Sequence, residues 1–307
     1  MTRRVVVDVP ATTSNLGPGF DCLGLAVDMW NRFEFELGGR EVLIKTAGAS
    51  APDLPTGREN LIYQAFQNAV DNGQGSDVGM KVTVYNHVPI SSGLGSSATA
   101  IVAGTLAANA LRDVSLSESE LITLASRMEG HPDNVAPAIL GGLVVAVMPP
   151  EGDVVALSVP APRDLRVVLA VPSLQLNTGS SRAVLPTSVP WNDAVFNVSR
   201  AALWVAAAVR GDFAALEMAT QDALHQPYRK SLIPGIDELF AAARSAGAFG
   251  VALSGAGPSV VAFCDNEHAV AVEQEMRQAA SLADMAARVM TTSPSYQGAV
   301  SNITGER

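Results

Sequence analysis

Residues 89–98 read Pro89-Ile90-Ser91-Ser92-Gly93-Leu94-Gly95-Ser96-Ser97-Ala98, and an alanine-rich stretch follows to about Leu111. The alternating run 80–85 ahead of it is a strand candidate, and the run after it has helical composition. A turn with two glycines and four serines between them aims backbone amides and the positive end of a helix dipole at one spot. Glycine permits positive φ and close approach of phosphate oxygens, and serine hydroxyls add hydrogen bonds or one magnesium ligand. No Gly-Lys-Ser/Thr closes the segment, so it is not a Walker A loop. Gly93-x-Gly95-x-x-Ala98 fits the relaxed dinucleotide fingerprint, but a Rossmann unit also needs a second strand and a later acidic residue. Here a second capped helix follows instead, with Asp113 in the turn between. A phosphate loop outside those two families is favoured over a Gly/Ser turn without a ligand.

The chain has 307 residues, 48% apolar and 16% charged, enough to bury a large core in one large domain or two modest ones. Its net charge of -10 argues against nucleic acid or an anionic membrane as the main partner. It does not argue against a phosphate held by local amides. Cys22 and Cys264 lie far apart, without zinc spacing, and are expected as free buried thiols. The N-terminus lacks a signal-peptide pattern, and the longest apolar runs, such as 201–209, are too short to cross a bilayer. A cytoplasmic location is expected.

Strands are predicted at 4–9, 32–37, 41–46, 142–148, 165–171, 250–253 and 260–264. Helical spacing covers 60–72, 191–210, 212–224, 236–246 and 267–281, and a capping box of Ser117 and Glu120 opens one more. Residues 10–24, dense in Thr, Ser, Asn, Gly and Pro, read as a loop of unusual length. A boundary near Ala161 divides the chain into halves 1–160 and 161–307, expected to pack tightly for want of a flexible linker.

The 89–98 segment resembles the nucleotide-phosphate loop of the GHMP kinases. Residues 10–21, Pro-Ala-Thr-Thr-Ser-Asn-Leu-Gly-Pro-Gly-Phe-Asp, are similar to the N-terminal motif in the form found in its homoserine kinase branch. Residues 254–259, Ser-Gly-Ala-Gly-Pro-Ser, resemble the C-terminal motif that braces the phosphate loop. Residues 130–138, Gly-His-Pro-Asp-Asn-Val-Ala-Pro-Ala, with Asn177-Thr178-x-x-x-Arg182 and His225-Gln226-Pro227-Tyr228-Arg229, point to the same branch. The likeness spans nearly the whole chain.

The resemblance implies an α+β fold in two parts, an N-terminal half like the second domain of ribosomal protein S5 and a ferredoxin-like C-terminal half. It implies ATP as donor, Mg2+, and L-homoserine as acceptor, phosphorylated on the way to threonine. Phosphates would sit on Pro89, Ser91, Ser92, Gly93, Leu94, Gly95, Ser96, Ser97 and Ala98, with Asn60 beside adenine and Ser254, Gly255, Ala256 and Gly257 as a partial cap. Ser97 and Glu129 would hold the metal, although Glu129 lies closer to His131 than in many family members. A selective site for homoserine needs an acidic group, a cationic fork and a group that orients the hydroxyl. Arg182 and Arg229 suit the carboxylate, with Thr178 nearby, and Asn15 and Asp21 suit the ammonium. Asp133, supported by His131 and Asn134, would contact the attacking hydroxyl, as a hydrogen-bond partner or as a base. A homodimer is expected from the family. Two alternatives stay open: a kinase of the same family acting on another small alcohol, and a non-catalytic nucleotide sensor.

Overall fold

A computed structural model describes residues 3–47, 54–70, 78–110, 115–160 and 162–304, and counts below are of these residues. Asp113, the expected boundary at Ala161 and the last two residues of the predicted helix 60–72 lie outside them. The first sheet begins with a long hairpin, β1 (Arg3–Ser14) against β2 (Leu23–Leu37). Val5, Val7 and Val9 alternate inward on β1 and meet Phe33 and Phe35 from β2 in one apolar core. The register shifts between Pro10 and Ala11, a bulge where a residue without an N–H leaves the ladder. β3 (Val42–Ala47) runs parallel to β4 (Met80–Tyr85), and β4 pairs with β2. β5 (Leu143–Val147) pairs with the first part of β2, and β6 (Val155–Val159) with β5.

Four helices belong to this half: α1 (Leu61–Val70), α2 (Ser96–Asn109), α3 (Glu118–Glu129) and α4 (Val135–Leu140). α2 is apolar or small on nearly every side, from Ala98 to Ala108, which makes it the central helix between the sheet and α1. Gly104 allows the contact with α1, because a Cβ there would lie 2.3 Å from the Ile62 carbonyl oxygen. α3 carries the predicted capping box, with Ser117 accepting from the Glu120 N–H.

The second sheet orders β7 (Arg166–Pro172), β8 (Gly250–Leu253), β9 (Val260–Cys264) and β10 (Ala287–Thr292) as β10-β7-β9-β8, all antiparallel. Between β7 and β8 lie α5 (Thr178–Ala183), α6 (Trp191–Arg210), α7 (Leu216–Ala219), α8 (Gln226–Arg229) and α9 (Ile236–Ser245). α10 (Ala269–Leu282) connects β9 to β10. That order and those crossovers are the ferredoxin-like pattern. Both faces of β7 and β9 are buried, which is why they read as unbroken apolar runs. Val168, Ala170, Val260 and Ala262 pack under α9 and α10. Val167, Leu169, Val261 and Phe263 form a second core with Leu16, Leu23, Leu25 and Leu94 of the N-terminal half. The halves therefore share buried apolar surface. β11 (Val300–Thr304) returns to pair with β1, so the end of the chain closes the first sheet.

Three sequence expectations change. Residues 10–24 divide about equally between strand, at 10–14 and 23–24, and a tight turn at 15–22. The predicted helix 212–224 breaks into a single 3-10 turn, the four residues of α7 and an irregular segment, because Asp222 turns its carboxylate back onto backbone amides. Residues 135–140, taken only as a motif, form a helix despite Pro137, which sits within its first turn where no amide is needed.

In an ordinary helix interior Gly→Ala gains about 1 kcal/mol. Gly104→Ala is expected to lose about 1–2 kcal/mol instead, because overpacking against the Ile62 carbonyl outweighs propensity. Urea denaturation measures this, and a more stable variant would contradict the packing.

Candidate active site

The loop after β4 reaches α2 through Ser91, Gly93 and Gly95, at φ 54°, 82° and 69°. Gly95 is the N-cap residue, and no side chain caps the helix, so the first amides of α2 remain available to a ligand anion. The loop's carbonyls are occupied by other segments. Ser91 O accepts from Leu176 N (3.3 Å), Ser92 O from Ser259 N (3.2 Å) and Leu94 O from Thr12 N (3.2 Å). Gly93 O accepts from the Ser254 hydroxyl at 2.6 Å. With acceptors tied to protein, the loop is left as a donor surface.

Gly93 and Gly95 line the cavity, and they also leave room for a close contact with protein. A Cβ at Gly93 would lie 2.2 Å from Ser254 O, and one at Gly95 would lie 2.0 Å from Thr12 Oγ1. Their close approach is to protein, where it lets the 254–259 and β1 segments brace the loop. Leu94 and Ala98, both expected at the phosphates, are fully buried in the two cores. Neither these two nor Pro89 and Ser254 line the cavity.

Opposite the loop, the turn 15–22 holds Asn15, Leu16 and Asp21 at positive φ, a backbone cost that non-glycine residues bear only when the surroundings fix it. Asn15 closes the turn, accepting from Asp21 N (3.0 Å) and donating to Gly255 O (2.9 Å). Asp21 faces Arg182 in a bidentate pair, 2.6 and 3.1 Å, so the expected ammonium and carboxylate anchors hold each other. Phe20 lies under both arginines, its ring centre 5.3 Å from the Arg182 and 5.4 Å from the Arg229 guanidinium carbon.

Arg229 is 1% exposed, and among the described residues no carboxylate comes within salt-bridge distance of it. Its Nε donates to Ser181 O (3.2 Å), and Nη1 to Gly255 O (3.2 Å) and His225 Nδ1 (3.0 Å). Burial and the nearby Arg182 push its pKa down to about 10, against the pull of Asp21, Asp222 and Asp133.

Between these groups lies Asp133, 1% exposed, whose Oδ1 receives His131 Nδ1 (2.7 Å) and Asn134 Nδ2 (3.3 Å). Asn134 is itself held by Thr12 (2.8 Å) and Ser14 (2.9 Å). Burial alone would lower the pKa of His131, but the hydrogen bond and charge of Asp133, with Glu129 and Asp21, raise it overall. Ser97 donates to Glu129 at 2.5 Å, so the two expected metal ligands share one side of the site. Burial raises the Glu129 pKa against the Ser97 hydrogen bond and His131. Ligand atoms of Asp21, His131 and Asp133 also lie within 4.8 Å of one another.

Asn15, Asp21, Arg182, Arg229, Asp133, His131, Glu129 and Ser97 all border one cavity of about 440 Å³. Thr178 and Arg182 of α5, Arg229 of α8 and Ala256 and Gly257 are among its lining. The far end is apolar, with Phe33, Ile44, Leu61, Val84 and Ile90. Asn60 lines it too, but its side-chain oxygen caps α1 through Ile62 N (2.9 Å) and its amide binds Pro55 O (2.6 Å). Sequence reading missed the apolar end, whose residues come from four separate elements and the loop after β4, and Phe20, His225 and Asp222. Their signal was present in the first motif and beside Arg229. Cys22 and Cys264 are free thiols.

The structure thus brings a brace between two halves, an uncapped helix N-terminus and paired ionic groups together in one cleft. Residues 60–142 match the family described as GHMP kinases N terminal domain, and residues 204–282 match GHMP kinases C terminal. Over 98% of its length this chain is 44% identical to a homoserine kinase of Nostoc punctiforme, covering 99% of that protein. It is 46% identical to one of Moorella thermoacetica, over 84% of this chain and 87% of the other. The crystal structure of homoserine kinase from Cytophaga hutchinsonii superposes with a TM-score of 0.88 at 29% identity, over 97% of both chains. An L. major mevalonate kinase shares the fold alone, at 17% identity and a TM-score of 0.70 over 94% of this chain and 95% of the other. The chain belongs to the GHMP kinases, in their homoserine kinase family. No helix of the described residues is long and apolar enough to cross a membrane.

Gly93→Ala should unseat the Ser254 segment, through both the 2.2 Å contact and the positive φ. The expected result is a Tm lower by about 5 °C or more, with faster amide exchange at 254–259. Unchanged exchange there would refute the brace.

Proposed function

We infer that this chain transfers the γ-phosphoryl group of ATP to the side-chain hydroxyl of L-homoserine, giving ADP and O-phospho-L-homoserine on the route to threonine. The observation that carries the acceptor assignment is Arg229, a buried guanidinium without a carboxylate partner, facing a cavity that also holds Asp21 and Arg182. An uncompensated buried charge costs several kcal/mol, so its presence here argues for an anionic ligand. L-Homoserine presents a carboxylate to Arg229 and Arg182 and an ammonium to Asp21, so the zwitterion replaces the Asp21–Arg182 pair with one contact at each end. Thr178, at the start of α5, adds a hydroxyl beside Arg182.

The phosphates are assigned to the donor surface of Ser91–Gly95 and the first turn of α2, with adenine in the apolar end beside Phe33, Ile44 and Val84. Ser97 and Glu129 are hard oxygen donors close enough to share one small cation, and so fit Mg2+ that keeps most of its other ligands from phosphate and water. Bound there, Mg2+ neutralises charge on the transferring phosphoryl group. The protein's own part is mainly positioning. Asp133 Oδ1 is held by His131 and Asn134, which leaves Oδ2 to accept the acceptor hydroxyl's hydrogen bond and aim it at the phosphate. The helix dipole of α2 and the loop amides stabilise the developing charge without moving. We further propose a cytoplasmic homodimer. The free thiols fit a reducing compartment, and edge strand β6, with exposed Val155 and Leu157 and no charged residue, fits a subunit contact.

ADP release should depend on added L-homoserine. Arg229→Ala should raise the KM for L-homoserine at least tenfold while that for ATP stays within about twofold. Turnover only with a different alcohol, or equal effects on both substrates, would refute the acceptor assignment. Glu129→Gln should lower kcat by about a hundredfold and shift the Mg2+ titration upward. An unchanged Mg2+ dependence would remove Glu129 from the metal site.

A further inference from the structure

His225 is fully buried between the two sides of the acceptor pocket. Its Nε2 lies 2.7 Å from Gly17 O, a backbone carbonyl that can only accept, so Nε2 carries the proton. Nδ1 is then a lone pair, and it receives Arg229 Nη1 at 3.0 Å. That arrangement requires a neutral ring. Burial, aided by the Arg229 charge, lowers its pKa in spite of Asp222, Gly17 and Asp21. Asp222 fixes the backbone that carries the ring: it accepts from His225 N (2.9 Å) and Gln226 N (2.6 Å), and from Asn197 on α6 (2.7 Å). The ring also packs against Phe20, 5.2 Å between centroids.

Gly17 and Asp21 share the turn 15–22. One imidazole therefore joins the backbone of the turn that presents the ammonium anchor to the side chain that presents the carboxylate anchor. Arg229 Nε and Nη1 are taken by Ser181 O, Gly255 O and His225, and Nη2 has no acceptor among the described residues. The Nδ1 contact, at 3.0 Å, is the shortest of the three and the one made to a side chain. We propose that His225 is a positioning residue for acceptor specificity, a neutral imidazole whose Nδ1 lone pair orients the Arg229 guanidinium toward the carboxylate of an α-amino acid. The proposal rests on reading Arg229 as the carboxylate anchor.

Two near-isosteres separate the ring's functions. His225→Gln places its terminal amide near Nε2, so it keeps the bond to Gly17 O and loses the acceptor for Arg229. His225→Asn keeps an acceptor near Nδ1 and loses the bond to Gly17. The experiment measures KM for L-homoserine, KM for ATP and kcat in both variants, in Arg229→Ala and in the His225→Gln/Arg229→Ala double variant. His225→Gln should raise the KM for L-homoserine about tenfold, with KM for ATP and kcat within about twofold. His225→Asn should stay within about threefold of the parent in all three constants. In the Arg229→Ala background, His225→Gln should add less than about twofold, because its effect passes through Arg229. Equal behaviour of Gln and Asn, a parallel rise in both KM values, or additivity in the double variant would overturn the proposal. A raised KM in Arg229→Ala with none in His225→Gln would overturn the His225 role alone. An unchanged KM in Arg229→Ala would overturn the carboxylate reading itself, and the His225 role with it.

Discussion

The peptide group of Gly255 is where the site is tied together. Its N–H donates to Ser14 O at 3.0 Å, and its carbonyl accepts from Asn15 Nδ2 and Arg229 Nη1. One residue earlier, Ser254 binds Gly93 O, and four later Ser259 N binds Ser92 O. The first motif, the phosphate loop, the 254–259 segment and α8 thus meet within a few residues. Backbone polar groups buried at such a junction must be paired or they cost free energy. Here they pair with each other across some 240 residues of chain, so neither half can build its side of the cleft alone. The shared apolar core of Leu16, Leu23 and Leu94 with Leu169 and Phe263 keeps the junction dry.

The same junction reconciles a net charge of -10 with an anionic nucleotide. Surface carboxylates are screened within about a Debye length, whereas charges inside the cleft act through a lower effective dielectric. Inside, the positive elements are Arg182, Arg229 and the uncapped end of α2, and the negative ones are Asp21, Asp133 and Glu129. Before substrate arrives, Asp21 and Arg182 neutralise one another, and Phe20 supplies its ring face to both guanidinium groups. Arg229 is left with carbonyls and a neutral imidazole, which satisfy donors without cancelling charge.

How far the sequence could be read depended on whether a contact was local. The loop-to-helix chemistry of 89–98, the capping box at Ser117 and the doubly buried strands β7 and β9 are local patterns and could be read directly. The Ser97–Glu129 pair and the Asp133 group came from resemblance and meet in one cleft. Residues 10–24 misled because Thr, Ser, Pro and Gly weigh toward loop, while pairing with β2 imposes strand on Ala11–Ser14. β11 carries no sign that it will join a strand almost 300 residues away. Arginine is ordinarily a surface residue, so nothing local marks Arg229 as buried. Its surroundings come from α5, the 254–259 segment and the turn 15–22, which only the folded chain assembles.

The two ends of the cleft differ in what their recognition is made of. At the end proposed for the phosphates the donors are main-chain amides and a helix terminus, which depend on loop path and on room at Gly93 and Gly95 more than on side-chain identity. At the end proposed for the acceptor nearly every polar group is a side chain: Asp21, Arg182, Arg229, Asp133 and their supports His131, His225 and Phe20. Such a division lets one scaffold take different alcohols by exchanging side chains, while the nucleotide end keeps its geometry. It also places the demand for precision on the short elements α5 and α8 and on the strained turn 15–22. These are too small to hold their own shape and are fixed only by the junction at Gly255.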